Sequence, residues 1–169
     1  MHVTILADAS HCPDTRAGGY GYWIASERGK RGGSGPFKGR VANSTVAEMM
    51  AIANSLYEAV RHNLVLENDC ILFQTDCEAA IFAFTGKRGV SQEEGKVVNY
   101  VKKVVRGMKL TVNYKHVKGH TSNPQARFAA NNACDRAARK AMRKARNLVR
   151  IEDAKRLLNS SRVHHETIS

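Results

Sequence analysis

The order of strand-like and helical segments is the feature that most limits how this chain can fold. Three strand-like segments come first, at residues 3–7, 18–25 and 33–40. Segments with turn-forming Gly, Pro and Asp separate them, including a predicted loop from Ala9 to Ala17. Strands that follow one another through turns pair as antiparallel neighbours, so these three segments predict a meander.

Helical and strand-like segments alternate in the rest of the chain. Apolar residues at steps of three and four, such as Met49, Ile52 and Leu56, predict a helix over 46–62. The other predicted elements are a strand at 70–75, helices at 77–84 and 91–105, a strand at 110–117, and a helix at 128–149 that can continue through 151–158. The order therefore predicts an α/β fold with a five-stranded mixed sheet, three antiparallel strands and then two parallel ones, flanked by helices.

Length and composition fit one domain. The chain has 169 residues, of which 43% are hydrophobic and 25% are charged, and no repeat or linker interrupts it. We assign residues 1–149 to this domain and residues 150–169 to a helical C-terminal extension, with a mobile, aperiodic tail at 160–166. No apolar run approaches the ~20 residues that span a bilayer. The N-terminus also lacks the features of a signal peptide.

The net charge of +12, from 27 Lys and Arg against 15 Asp and Glu, favours a polyanionic partner. Nucleic acid fits best and an anionic membrane surface second, while a charge that merely improves solubility is the alternative. The scattered cysteines form no C-x-x-C pair, so we expect reduced thiols in a cytoplasmic protein. They are Cys12, Cys70, Cys77 and Cys134.

Three acidic residues stand at the ends of predicted elements. Asp8 closes the first strand, Asp76 closes the fourth, and Glu48 lies in the first turn of the helix between them. Each alone can be an ordinary strand-end or helix-start acid, and Glu48 can simply favour the helix N-terminus. Buried together, they would repel one another unless one held a proton or a cation joined them. Carboxylate oxygens are the ligands that Mg²⁺ prefers, so the three are candidate metal ligands.

Two further residues are candidates near the end of the domain. Asp135 lies inside the last predicted helix, where a solvated acid beside Arg136 and Arg139 is the alternative. His120 follows Gly119 in a polar loop that can move, and a histidine without a function is the alternative there.

Six short motifs occur in order over residues 3–140. They are Ala7-Asp8-Ala9-Ser10, Gly18-Gly19-Tyr20-Gly21, Ala47-Glu48-Met49-Met50-Ala51-Ile52, Gln74-Thr75-Asp76-Cys77, Val117-Lys118-Gly119-His120 and Asn132-Ala133-Cys134-Asp135. No single motif is specific, but the loop followed by an Asp-bearing helix is moderately so. The ordered set with its compatible gaps resembles type 1 ribonuclease H.

The resemblance implies an endoribonuclease that hydrolyses the RNA strand of an RNA–DNA hybrid and leaves 5′-phosphate and 3′-hydroxyl ends. Two Mg²⁺ ions, or Mn²⁺ as a substitute, would activate water and stabilise the departing 3′ oxygen. The implied metal ligands are Asp8, Glu48, Asp76 and Asp135. His120 would assist the water or product release, which suits its near-neutral pKa. The implied substrate-binding residues are Ala9, Ser10, Asn43, Ser44, Thr45, Gln74 and Lys118.

The chain departs from the pattern of type 1 ribonuclease H in three places. Ala9 replaces a usual glycine, and the spacing of 15 residues from His120 to Asp135 exceeds the usual gap. The basic handle between Asp76 and the fifth strand is reduced, as in a viral or stand-alone form. The last helix is strongly basic instead, either as a solvated face or as a surface that follows phosphates. Its basic residues are Arg136, Arg139, Lys140, Arg143, Lys144, Arg146 and Arg150.

Two other functions remain open at this point. One is a different nuclease of the same fold, such as a junction resolvase or an exonuclease. The other is a noncatalytic module that binds hybrids. In the favoured interpretation, the protein is a monomer that binds an RNA–DNA hybrid duplex in association with a replication or reverse-transcription system.

Overall fold

Two kinds of strand pairing build the central sheet. In the computed structural model, β1 (His2–His11), β2 (Gly18–Ser26) and β3 (Gly29–Pro36) pair as antiparallel neighbours. β4 (Cys70–Thr75) pairs in parallel with β1, and β5 (Thr111–His116) pairs in parallel with β4. The strand order across the sheet is β3-β2-β1-β4-β5. The predicted mixed sheet is confirmed.

Helices cover the sheet on its two faces. The structure describes the backbone of residues 1–117 and 126–166, and the side chains of residues 1–117 and 129–157. The helices in these ranges are α1 (Ser44–Arg61), α2 (Glu78–Phe84), α3 (Gln92–Gly107) and α4 (Ala126–Glu166). α1 packs against β1 and β2 and contacts α2 and α3, whereas α4 packs against β1, β2 and β3. No described helix is both long and apolar enough to cross a membrane.

In three elements, an observed boundary differs from the predicted one by more than two residues. β1 continues past Asp8 to His11, where a loop was predicted, because its last residues pair with the start of β2. β3 spans Gly29–Pro36 instead of 33–40, since the glycines that suggested a turn pair with β2. α4 continues through Glu166, beyond the predicted helix ends at 149 and 158 and through the segment 160–166 that lacks helical periodicity.

Glycine-rich β3 forms because its partner strand carries large rings. A Cβ atom at Gly33 would lie 2.5 Å from the Tyr22 hydroxyl oxygen, and one at Gly35 would lie 3.1 Å from the Tyr20 hydroxyl oxygen. The absent side chains therefore make room for the two tyrosines. Tyr22 in turn donates a hydrogen bond to Glu58 on α1, at 3.4 Å.

The face covered by α1 holds the main apolar core. Ile5 of β1, Phe73 of β4 and Met49 of α1 are fully buried there. The Asn43 side chain caps α1 by accepting a hydrogen bond from the Val46 backbone N–H at 2.9 Å. The core and the cap together fix the start of α1 against the centre of the sheet.

On the other face, the backbone of α4 lies directly on β2. A Cβ atom at Gly21 would lie 2.3 Å from the Cys134 carbonyl oxygen, and one at Gly19 would lie 2.4 Å from the Met142 backbone nitrogen. The buried side of α4 carries small residues such as Ala138, which permit this approach. At these two glycines, strand and helix therefore meet with only small side chains, such as that of Ala141, between them.

Asp69, a buried acid directly before β4, is hydrogen-bonded to three other segments of the chain. Arg28, in the turn between β2 and β3, donates from Nη2 to Oδ1 of Asp69 at 3.0 Å. The Leu66 backbone N–H donates to Oδ2 of Asp69 at 2.8 Å, and the Asp69 carbonyl accepts from the Thr111 N–H at 3.0 Å. The Arg28 guanidinium holds the pKa of the Asp69 carboxyl well below its usual range.

We expect Asp69→Asn to lower the midpoint of urea unfolding at pH 7, because Arg28 loses its charged partner. The depressed folded-state pKa makes this contribution fully present above the unfolded-state pKa of ~4, and it is lost as the pH falls further. The difference between the urea midpoints of wild type and variant should therefore shrink below about pH 4. Glu67→Gln, which breaks an exposed pair with Lys109, is the control and should change little. A difference that is constant from pH 7 to pH 3 would contradict this role.

We expect Gly21→Ala to lower the free energy of unfolding by about 1–3 kcal/mol, because the new methyl group meets the helix backbone. Gly107→Ala is the matched control, since nothing lies within 4 Å of a Cβ atom there. Urea unfolding followed by circular dichroism measures both. Equal urea midpoints for Gly21→Ala and wild type would show that the α4 backbone leaves room for a side chain at Gly21.

Candidate active site

Three acidic side chains meet just beyond the point where the parallel pairing of β1 with β4 ends. Leu6 pairs with Gln74 in the parallel register, so Asp8 and Asp76, two residues further along, stand at the same level. Glu48 reaches them from α1. One carboxylate oxygen from each acid lies within 4.8 Å of the others. The structure thus brings together three acids that are 28 or more residues apart in the sequence.

The position of Glu48 corrects one detail of the sequence analysis. Because α1 begins at Ser44, Glu48 lies in the second turn of the helix and not in the first. The first turn contains no acid, and the helix dipole acts mainly on the first turn. A favourable charge at the helix start therefore does not explain Glu48.

Local hydrogen bonds fix the backbone that carries Asp76. The Thr75 hydroxyl accepts from the Cys77 N–H at 3.2 Å, and the Thr75 carbonyl accepts from the Val117 N–H at 3.0 Å. The His116 ring donates from Nε2 to the Asp76 carbonyl oxygen at 3.0 Å. The sequence analysis missed His116 as a residue that supports the site. The available signal was its place at the end of a strand parallel to β4.

The fold keeps the carboxylates close together, although burial and mutual repulsion both disfavour their charged forms. Burial, with repulsion from Asp76 and Asp135, raises the pKa of Asp8 to about 7. Burial, with repulsion from Asp8 and Asp76, raises the pKa of Glu48 to about 9. The Ala9 backbone N–H opposes both shifts. Oε2 of Glu48 is buried and has no hydrogen-bond partner among the described residues.

A divalent cation fits this group of atoms. It would balance the repulsion between the carboxylates and give the unpartnered Glu48 oxygen a ligand contact. The donors are all carboxylate oxygens, which suit a hard cation such as Mg²⁺ or Mn²⁺. Asp8, Glu48 and Asp76 are therefore the residues that could hold it.

Asp135 stands beside this group on α4. It is not a member of the group within 4.8 Å, but its charge contributes to the raised pKa of both Asp8 and Glu48. Its Oδ1 accepts a hydrogen bond from Arg139 Nε at 2.8 Å. The sequence analysis named Arg139 beside Asp135 only for the alternative of a solvated acid, although the spacing of four residues was a signal for a specific pair.

Cys134 lies between α4 and the sheet, next to the carboxylates. It is 3% exposed. Burial, with the Asp8 charge, raises the pKa of its thiol to about 12.

The predicted substrate-binding residues in the described ranges lie on or next to the elements that carry the acids. Ser10 follows Asp8 by two residues on β1, so the two share a face of the sheet. Gln74 is on β4, and Asp76 directly follows the end of that strand. Ala9 is half-buried between Asp8 and Ser10 on β1. Ser44 and Thr45 open α1 after its Asn43 cap. Lys118 and His120 lie outside the described residues.

The RNase H family model matches residues 1–143. This chain belongs to the RNase H family. A comparison with curated protein sequences gave no match. Membership in the RNase H family makes the protein a nuclease of the hydrolase class and implies dependence on a divalent metal, for which the acidic group is the candidate site.

Solved structures with the same fold include several RNases H. RNase H1 from Halobacterium salinarum superposes with a TM-score of 0.67 at 19% identity, over 86% of this chain and 100% of that one. The N-terminal RNase H domain of a Mycobacterium tuberculosis protein gives 0.62 at 21% identity, over 85% and 95% of the two chains. LC11-RNase H1, in a complex with an RNA/DNA hybrid, gives 0.65 at 16% identity, over 85% and 98%.

We expect Mg²⁺ to stabilise the wild-type protein and to stabilise Glu48→Gln much less. At a concentration of about 100 times the Kd, a ligand raises the free energy of unfolding by about 2.7 kcal/mol. Without metal, Glu48→Gln should be at least as stable as wild type, because it removes a repelling carboxyl. Thermal unfolding with Mg²⁺ and with EDTA measures both effects.

Glu78→Gln is the control for the metal response, because Glu78 is an exposed acid two residues from Asp76. It should respond to Mg²⁺ as wild type does. An equal response of Glu48→Gln and wild type would exclude Glu48 as a ligand.

Proposed function

We propose that this RNase H is an endoribonuclease that hydrolyses the RNA strand of RNA–DNA hybrids, leaving 5′-phosphate and 3′-hydroxyl ends. The observation that carries the proposal is the group of Asp8, Glu48 and Asp76, with the unpartnered Glu48 oxygen and the raised pKa values of Asp8 and Glu48. The fold shared with LC11-RNase H1, whose structure contains an RNA/DNA hybrid, supports the substrate.

The carboxylates would hold two divalent ions, Mg²⁺ or Mn²⁺, with Asp135 completing the set of ligands. The chemistry supplied by two such ions is activation of a water for in-line attack and stabilisation of charge on the departing 3′ oxygen. The protein keeps the ligands in place: His116 anchors the Asp76 backbone, and Arg139 orients the Asp135 carboxylate. These contacts limit the rearrangement that binding requires.

Small and polar side chains near the acids suit an A-like duplex, which proteins recognise through shape and 2′-hydroxyl groups. Ser10, Gln74 and Ser44 offer hydroxyl and amide groups at this edge of the sheet. The Asn43 oxygen is used by the helix cap, so its amide N–H groups are its donors to a sugar hydroxyl. Thr45 adds a hydroxyl beside them.

Four further parts of the proposal concern three single residues and the assembly. The small side chain of Ala9 would leave room for the RNA backbone, and Lys118 would contact a phosphate. His120 would move a proton for the attacking water or for product release, because an imidazole titrates near neutral pH. Since all four carboxylates come from one chain, the protein would act as a monomer.

We expect the wild-type protein with Mg²⁺ to cut only the RNA strand of an end-labelled RNA–DNA duplex, and not RNA–RNA or DNA–DNA. Asp76→Asn should retain hybrid binding and lose more activity than the ~10–100-fold typical of a lost second-sphere metal contact. Denaturing gels with Mg²⁺ and with EDTA measure cleavage.

Glu78→Gln, an exposed acid after Asp76, should cut at the wild-type rate in the same assay. Cleavage of branched or DNA substrates instead would favour a resolvase or an exonuclease. Tight hybrid binding without cleavage in any metal would favour a noncatalytic module. Full activity of Asp76→Asn would contradict the metal-site assignment.

A further inference from the structure

A row of arginines starts at Asp135 and continues along α4. The steps from Asp135 to Arg139, Arg143, Arg146 and Arg150 are four, four, three and four residues. Residues at these steps lie on one side of an α-helix. We call Arg139, Arg143, Arg146 and Arg150 the arginine row.

The arginine row borders the part of α4 that packs on the sheet. Among the α4 residues whose side chains are described, 129–157, the buried ones are Asn131, Cys134, Ala138, Ala141 and Ala145. Helical geometry places the row beside them, on the flank that carries Asp135. Arg143 and Arg150 are exposed, while Arg146 is half-buried. Nε of Arg146 is buried without a hydrogen-bond partner among the described residues.

An acid stands at each end of the arginine row. Asp135 accepts from Arg139 at one end. At the other end Asp153, three residues after Arg150, accepts a hydrogen bond from Arg40 at 2.6 Å. With a rise of 1.5 Å per residue, the row from Arg139 to Arg150 is roughly 16 Å long. One strand of a duplex presents about five phosphates over that length.

The other exposed flank of α4 has different chemistry. It carries Lys140 and Lys144. Arginine presents a planar fork of donors that fits two phosphate oxygens at once, whereas lysine acts as a point charge. The flank that leads to the acids is therefore the one suited to ordered phosphate contacts.

We propose that the arginine row binds the sugar–phosphate backbone of the hybrid beside the scissile phosphate. This inference rests on the proposed function. The carboxylates repel a polyanion, and cations that begin one helical turn from Asp135 offset that repulsion where the duplex must approach. The row thus aligns the duplex along α4, and it replaces in part the reduced basic handle.

The test compares Arg143→Gln/Arg150→Gln with Lys140→Gln/Lys144→Gln, which removes the same charge from the other flank. Both pairs are made in the Asp76→Asn protein, and binding of a fluorescent 20-base-pair hybrid is measured from 50 to 300 mM KCl. We expect the arginine pair to weaken binding by roughly tenfold and to flatten the slope of log K against log salt by about 2. The lysine pair should change the slope by less than half as much.

A second readout places the contact beside the cleavage site. Hybrids are shortened one base pair at a time from either end and cut by the otherwise wild-type protein. The kcat/KM of this protein should fall steeply once the shortened duplex no longer reaches the arginine row. The kcat/KM of Arg143→Gln/Arg150→Gln should not change with the same shortening. Arg143→Lys/Arg150→Lys keeps the charge and should lie between the two, because lysine does not reproduce the fork.

The outcomes separate this inference from the proposed function. Failure of the protein to bind or cut any hybrid would overturn both. Two results together, in a protein that cleaves hybrids, would overturn the arginine row alone. The arginine and lysine pairs would have equal salt slopes, and the arginine pair would lose kcat/KM on hybrid shortening just as the wild type does. Loss of binding to anionic vesicles by the arginine pair, with hybrid binding unchanged, would assign the row to a membrane surface and also overturn it.

Discussion

The contact between the α4 backbone and β2 is the constraint on which the geometry of the site depends. Gly21 lies under the Cys134 carbonyl and is paired with Asp8 in the sheet. Asp135 is the next residue along α4, so the position of its carboxylate relative to Asp8 is set by backbone meeting backbone. The same docking fixes the direction in which α4 leaves the site, and with it the course of the arginine row.

The acids come together because apolar packing outweighs their repulsion. Ile5, Phe73 and Met49 are fully buried in the core that joins β1, β4 and α1. Each lies three residues or fewer from one of the acids. Burial of this core therefore holds charges that would separate in a looser structure. The site is formed in advance, and a bound cation would release the strain that the core imposes.

The sequence was sufficient to predict the order of elements and the place of Asp76 at the end of β4, because periodicity is a local property. It did not show that β1 continues past Asp8, because that extension depends on pairing with β2. The register of β3 could not be predicted from the sequence, because its glycines are typical of a turn. The structure explains them, since the rings of Tyr20 and Tyr22 occupy the space that side chains at Gly35 and Gly33 would need. The role of His116 depends on the register in which β5 pairs with β4, where His116 lies opposite Thr75, and no local pattern shows that register. The assignments of Lys118 and His120 stay predictions.

The burial of Cys134 gives the protein an internal reporter. Its thiol lies under α4 beside Asp8, with little exposure and a pKa of about 12, so a thiol reagent can reach it only after the helix lifts from the sheet. The rate of labelling at this one position then measures how often Asp135 moves away from Asp8, Glu48 and Asp76. A single chemical modification can therefore count the opening of α4 from the sheet.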